Sequence, residues 1–318
     1  MRAAASPALQ EDTRYHLLIN RKSGAVLNAG EDGVQQLVAR SGMVVASVHL
    51  IDGNRFEGLI PSLLAQGEGV IVGGGDGTIA GCLPHFIAHK QPMGVLPLGT
   101  MNLLARDLGF SGNLDEALGQ YANGPLAVTE IDVAYVNDIP FLCCAGLGTM
   151  PESAKFRESR REDSALVLYP RLIKFIFDQM DPRKQRRVTL DLDGRRKHIK
   201  TAAIVVSNNL FRHDEDTVEE RGDALGRASL QDGKLGVYSF APRNWREKTA
   251  MVLRLKFGGW KNENRLREWQ AAEVLLDDAA YKELVSIDGE VRELTMPLRF
   301  RIEPRVLRVL VPAHKGTG

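Results

Sequence analysis

The 318-residue chain predicts two domains of different class: an open, mainly parallel α/β domain over residues 15–133, and an antiparallel β-sandwich over 134–304. Three observations lead there. Single hydrophobic cores seldom keep growing to this length. Up to residue 133, short apolar runs alternate with helical stretches, which is the pattern of βα units. Beyond it the pattern changes to closely spaced strands with hairpin turns. Residues 1–14 read as a tail.

The first strand is Tyr15-His16-Leu17-Leu18-Ile19-Asn20, which runs into Arg21-Lys22-Ser23-Gly24. Helical stretches follow at 33–40 and 56–66. A second apolar strand, Val70-Ile71-Val72, enters Gly73-Gly74-Gly75-Asp76-Gly77-Thr78. A turn this rich in glycine can take positive φ and direct its N–H groups outward as an anion-binding concavity. The amphipathic run 79–89 reads as a helix whose N-terminus adds to the same preference. The expected guest is a phosphate; the competing reading is a tight turn with no ligand. Neither the Lys-Ser/Thr ending of the P-loop nor the spacing of Gly-x-Gly-x-x-Gly is present. A third strand, Met93-Gly94-Val95-Leu96-Pro97-Leu98, ends in Gly99-Thr100-Met101-Asn102, and Leu103 to Leu108 reads as a helix. Successive strands with small polar turns at their carboxyl ends describe the ligand-binding edge of an open α/β sheet.

Downstream, Phe141-Leu142-Cys143-Cys144-Ala145 reads as a buried strand. Val188 to Leu192, the turn Asp193-Gly194 and a returning strand over 195–206 form a hairpin with a type I′ signal. Further strands are expected at 234–240, 274–276, 285–288, 298–302 and 306–311. Two segments interrupt them: a helix over 164–180, with its apolar face in the core, and an acidic, glycine-containing loop over 213–227.

Composition narrows the function classes. No apolar stretch approaches the roughly 20 residues of a membrane span, and the first 14 residues lack a signal-peptide core, so a cytoplasmic location is expected. Cys82, Cys143 and Cys144 have neither disulfide-framework nor zinc spacing and read as structural. The net charge of +1 conceals an imbalance, because acids outnumber bases up to residue 133 and bases outnumber acids after it. The basic excess is densest over 155–200, at Lys155, Arg157, Arg160, Arg161, Arg183, Lys184, Arg186, Arg187, Arg195, Arg196 and Lys197. Such a face suits either plain solvation or transient contact with an anionic membrane surface. A nucleic-acid partner is not expected, since the cluster lacks interleaved aromatics and the isoelectric point is about 7.8.

The ordered set Gly74-Gly75-Asp76-Gly77-Thr78, Pro97-Leu98-Gly99-Thr100-x-Asn102-x-x-Ala105-Arg106, Ile131-Asp132-Val133, Asp232-Gly233 and Asp288-Gly289-Glu290 resembles the diacylglycerol kinase catalytic-domain family, from about Tyr15 to Val311. NAD kinases and phosphofructokinases share only the first of these loops. The resemblance implies an NAD kinase/phosphofructokinase-like first domain that binds nucleotide and is completed by residues 305–318, then a β-sandwich that receives a lipid. It implies ATP as phosphate donor, Mg²⁺, and a lipid acceptor entering an interdomain cleft. Phosphoryl transfer needs positioning, neutralised charge and a carboxylate near the attacking oxygen. On that pattern Gly73, Gly74, Gly75, Asp76, Gly77 and Thr78 hold phosphates, Thr100 and Asn102 contact the nucleotide, and Asn20, Lys22 and Ser23 stand on the neighbouring tip. Asp76 partners Mg²⁺ or the acceptor hydroxyl, and Glu290 takes the hydroxyl proton. Asp232, with carbonyl oxygens of Ser229 and Lys234, holds a structural Mg²⁺.

The chain departs from the family at Arg21, where many relatives have Pro, and at Leu103, where many carry an acid; Asp132 or Asp107 is then a candidate to compensate. The expected activity is an ATP-dependent lipid kinase acting on a diacylglycerol-like or sphingoid-like hydroxyl, in the cytoplasm or at the inner membrane surface. The alternatives are a soluble NAD kinase-like enzyme and a nucleotide or lipid sensor without turnover. Oligomeric state, a homodimer included, is left open.

Overall fold

The computed structural model describes residues 13–158, 185–212, 226–257 and 265–313. The helix expected over 164–180 and residues 213–225 of the acidic loop lie outside the described residues, as do Arg160, Arg161, Arg183 and Lys184. The chain divides into two compact units, Met1–Val133 with Pro304–Gly318, and Ala134–Glu303.

The first unit is built on β1 (Tyr15–Asn20), β2 (Val45–Ile51), β3 (Gly69–Gly74) and β4 (Met93–Pro97), parallel and in the order β2-β1-β3-β4. Leu17, Leu18, Ile19, Val70, Ile71, Val72, Val95 and Leu96 are fully buried. Consecutive residues of a strand face opposite sides, so unbroken burial means that both sheet faces are covered, as parallel sheets require. Helices α1 (Gly24–Ala29), α2 (Glu31–Arg40), α3 (Phe56–Leu64), α4 (Asp76–Gly81), α5 (Leu83–His89), α6 (Leu103–Asp107) and α7 (Leu114–Asn123) connect the strands. The run read as one helix over 79–89 is two, divided at Cys82. Pro84 is the cause: it has no N–H to give, and its ring opposes the carbonyl four residues earlier. At α7 the Tyr121 hydroxyl bonds Val95 N and O, at 2.8 and 3.1 Å, in space left by Gly94, whose Cβ would lie 3.0 Å from that oxygen.

The strand β5 (Leu126–Val136) leads out of the first unit, and β16 (Leu298–Pro312) returns to it. Sequence reading divides β16 into two strands at Pro304. The structure instead carries one strand through that point, with a local left-handed kink at Arg305 (φ 55°), where a ladder need not use the missing N–H. Its early residues pair with β13 (Glu273–Asp277), antiparallel, and Val309 pairs with β4, parallel; β5 also pairs with β16.

The second unit is an antiparallel sandwich. One sheet runs β12 (Leu266–Ala271), β11 (Leu235–Phe240), β10 (Ala203–Asn208), β7 (Cys144–Gly148), β14 (Lys282–Ile287) and β15 (Glu290–Thr295). The facing strands are the start of β16, β13, β8 (Arg186–Leu192) and β9 (Arg195–Thr201), with β6 (Ile139–Phe141) beside the end of β5. Phe141, Leu190, Leu276 and Phe300 from one sheet share a core with Leu147, Val206, Val237 and Val285 from the other. The expected hairpin at Asp193-Gly194 forms, with φ of 49° and 82°, the left-handed pair that a type I′ turn demands. Its returning strand differs from expectation: it breaks at Ala202 and changes sheets, giving β9 and β10. Helices α8 (Thr149–Glu158) and α9 (Trp245–Phe257) complete the described elements. No helix among the described residues is long and apolar enough to cross a membrane.

Candidate functional site

Parallel strands put their carboxyl ends on one edge, and in the first unit the turns after β1, β3 and β4 meet there. Asn20 donates from Nδ2 to Thr78 Oγ1 at 2.9 Å and accepts from Lys22 N at 3.0 Å. The Ser23 hydroxyl donates to the Asn20 carbonyl at 2.7 Å. Ala25 N donates to Leu98 O at 3.1 Å, tying the first tip to the third. Lys22 reaches Asp52 at 2.8 Å, and this hydrogen-bonded ammonium holds the Asp52 carboxyl below its ordinary range.

The glycines work differently from expectation. None of Gly73, Gly74, Gly75 and Gly77 has positive φ, so the loop is no left-handed nest. At Gly73 and Gly74, and at Gly99 in the neighbouring turn, the side chain is missing because other atoms occupy the space. A Cβ on Gly99 would lie 2.5 Å from Gly75 Cα, one on Gly74 2.6 Å from Thr78 Cβ, and one on Gly73 2.8 Å from Leu98 Cδ1. The turns after β3 and β4 thus touch backbone to backbone. Gly75 heads α4 with no side-chain cap, which leaves the first-turn amides of Asp76, Gly77 and Thr78 without an intrahelical acceptor.

Asp76 also has a role that the sequence did not disclose. Its carboxylate accepts from Leu103 N at 3.3 Å and Leu104 N at 3.1 Å, fastening the glycine turn to α6. Asn102, buried and left-handed at φ 51°, spends both polar atoms on Gly99: it accepts from Gly99 N at 2.7 Å and donates to Gly99 O at 3.0 Å. It therefore shapes the turn after β4, while Thr100 stands exposed. Leu103 is buried. Asp132 is fully buried and accepts from the amide of Arg305, itself at φ 55°.

In the second unit the informative carboxylate is Asp288, which sequence reading took only as part of a motif. It is buried and accepts from the amides of Leu142, Cys143 and Cys144 at 2.7, 2.9 and 3.0 Å. The strand expected over 141–145 is interrupted there, because residues 142 and 143 turn their N–H groups onto this carboxylate. Asp288 and Gly289, at φ 46° and 89°, form a second type I′ turn; the Asp-Gly dipeptide was the signal, as at Asp193-Gly194. Glu290 follows at the start of β15, exposed, with Arg292 Nη2 at 3.3 Å. Asp232 and Lys234 are exposed, and the Ser229 hydroxyl accepts from Gln231 N at 3.1 Å. Among the described residues no three His, Cys, Asp or Glu side chains converge as a cation site.

Comparison with known proteins places this arrangement. The family profile of the diacylglycerol kinase catalytic domain matches residues 14–136. A Synechocystis protein described as uncharacterized is 24% identical over 79% of this chain; the match spans 57% of that protein's length. A Staphylococcus haemolyticus protein provisionally named a lipid kinase is 25% identical over 76% of this chain and 75% of its own. Two Bacillus anthracis crystal structures share the fold. One, provisionally described as a diacylglycerol kinase, has a TM-score of 0.67 at 18% identity, covering 99% of this chain and 98% of that one. The other, described as a diacylglycerol kinase, has a TM-score of 0.61 at 17% identity, with 95% and 97% covered. Over residues 14–136 the chain is similar to the diacylglycerol kinase catalytic domain.

Proposed function

We propose that the chain is an ATP-dependent lipid kinase, transferring the γ-phosphoryl group to a hydroxyl of a diacylglycerol-like or sphingoid-like lipid. One observation carries the reading: the Gly75 turn, with uncapped amides at Asp76, Gly77 and Thr78, is held against the Gly99 turn on the carboxyl edge of a parallel sheet. Unpaired N–H groups at such an edge suit phosphate oxygens, so the donor set fits ATP.

In the proposed reaction the amides of residues 76–78 hold the triphosphate, with Thr100 and Lys22 on the flanking tips as further contacts. The acceptor oxygen forms its bond to the γ-phosphorus as the bond to the β-γ bridging oxygen breaks, and Glu290 accepts the hydroxyl proton. Asp76, tied to Leu103 and Leu104, positions the glycine turn. Mg²⁺ would neutralise the phosphates when bound with the nucleotide. In the Ser229–Lys234 turn, Asp232 with the carbonyl oxygens of Ser229 and Lys234 would hold a structural Mg²⁺ that keeps several waters. Contact with a membrane, where such an acceptor resides, is part of the proposal.

The test is incubation with labelled ATP and a total lipid extract, followed by identification of the species that gains label. Glu290→Gln should lower turnover at least about 100-fold with nucleotide affinity unchanged. The Glu290–Arg292 contact favours a second reading, a sensor that binds without turnover. Nucleotide binding with no labelled lipid, in wild type and variant alike, would establish the sensor instead.

A further inference from the structure

The β8–β9 hairpin carries two cations where its fold calls for apolar side chains. Cross-strand partners share a face, so Lys197 opposite Leu190 and Arg195 opposite Leu192 lie on the core side, with Val188 and Ile199. Val188, Leu190, Leu192 and Ile199 are buried. Lys197 and Arg195 are exposed, because β9 is the last strand of its sheet and β12 the last of the facing one. The sandwich is open along this side. Residues from both edges line a hollow of about 420 Å³: Leu192, Asp193, Arg195 and Lys197 from the hairpin, Trp269 and Gln270 from β12.

The charges in this hollow do not balance. Asp193 is its single acid, and that carboxylate already accepts from Ala272 N and Glu273 N at 2.9 to 3.2 Å. Neither Arg195 nor Lys197 has an ion-pair partner among the described residues. Two residues apart on one strand, their Cα atoms lie about 7 Å apart, close enough for one phosphate to meet both side chains. Charge alone would protect an edge strand from pairing with another chain, but protection needs no cavity and no aromatic wall. The half-buried Trp269 supplies an apolar face and one N–H, a side chain suited to the level of lipid headgroups.

We propose that this hollow seats the phosphate headgroup of an anionic phospholipid, with Arg195 and Lys197 on the phosphate and Trp269 against the glycerol region. The inference rests on the lipid-kinase reading only for the reason that the protein meets a bilayer.

Co-sedimentation of the full chain with phosphatidylcholine vesicles, with and without phosphatidylglycerol, tests it. Binding should require phosphatidylglycerol, and Arg195→Gln with Lys197→Gln should weaken it about thirtyfold. Arg187→Gln with Lys200→Gln removes equal charge from the other face of the hairpin and should weaken it less than about threefold. Equal losses in the two double variants would mean diffuse attraction and overturn the site. So would absence of vesicle binding by the wild type, or a hollow that takes inorganic phosphate while phosphatidylglycerol vesicles stay unbound. With Trp245→Phe and Trp260→Phe, Trp269 is the last of the three tryptophans; its emission should shift to the blue on phosphatidylglycerol vesicles, and an unchanged spectrum also sinks the proposal. Phosphorylation of a monomeric short-chain diacylglycerol should survive the Arg195 and Lys197 changes. Vesicle binding without any turnover therefore counts against the kinase reading alone, and turnover without vesicle binding against the hollow alone.

Discussion

Asp288 is buried in the second unit, and three backbone N–H groups converge on it. Its carboxylate satisfies three amides that would otherwise be buried without acceptors. Asn at this position keeps the left-handed turn but offers a single acceptor oxygen and brings an N–H₂ group against N–H groups. Asp288→Asn should lower unfolding free energy by about 3 kcal/mol, measured by urea titration. The turnover proposed to depend on Glu290, two residues on, should fall with it. Cys82 shows a different kind of dependence. Burial, with a smaller effect of Glu57, pushes its thiol up to about 12, and the sulfur donates to Thr78 O at 3.4 Å. In the unfolded chain the same thiol ionises near 8.5. Its contribution is therefore complete below about pH 8.5 and is lost as pH rises toward the folded value, by at most about 1.4 kcal/mol per pH unit. Unfolding titrations between about pH 8 and 10 should show this slope, and Cys82→Ala should flatten it.

At the scale of elements, the glycines of the first unit divide into those with space around them and those without. Gly119 lies within α7, where an added Cβ would meet nothing within 4 Å, whereas Gly99 meets Gly75. Gly119→Ala should raise stability by up to about 1 kcal/mol through helix propensity. Gly99→Ala should separate the two turns and reduce nucleotide affinity at least about tenfold, read by calorimetry alongside thermal melting. The same elements show what the sequence disclosed. Strands β1, β3 and β4 and their turns were legible because continuous apolar runs ending in glycine have few other uses. The conformation of the glycines was not legible, since a bare residue answers equally to positive φ and to a neighbour's close approach, and only the Gly75–Gly99 pair distinguishes them. Asp76 read only as a partner of Mg²⁺ or of the acceptor hydroxyl because its partners in the fold, Leu103 N and Leu104 N, belong to the backbone, which leaves no mark in side-chain patterns. The change of sheets at Ala202 was hidden for a related reason: residues 195–206 keep strand character on both sides of the corner.

Over the whole molecule, the two units differ in how the chain supplies them. The second is one uninterrupted segment, Ala134–Glu303, while the first needs Pro304–Gly318 as well. From that segment Leu307, Val309 and Leu310 are buried to 1% or less, and Ala313 N donates to Pro125 O at 2.7 Å. Losing three such side chains removes about 5 kcal/mol or more of burial, comparable with the entire stability of a domain. A chain ending at Glu303 should therefore retain a cooperative melt from the second unit and lose that of the first, as followed by calorimetry and by protease resistance of residues 13–133. The fold class was legible at this scale because periodicity changes near residue 133. The likeness to the diacylglycerol kinase catalytic domain was legible only through the order of the motifs, since no single turn specifies it.

The late return of β16 also sets a schedule. During synthesis, the residues that form β1 to β4 leave the ribosome long before the strand that completes their sheet, with the whole of the sandwich translated in between. The amino-terminal part must wait, its β4 edge uncovered, and a nascent chain held by a chaperone or stalled near residue 300 would carry a finished second unit beside an unfinished first one.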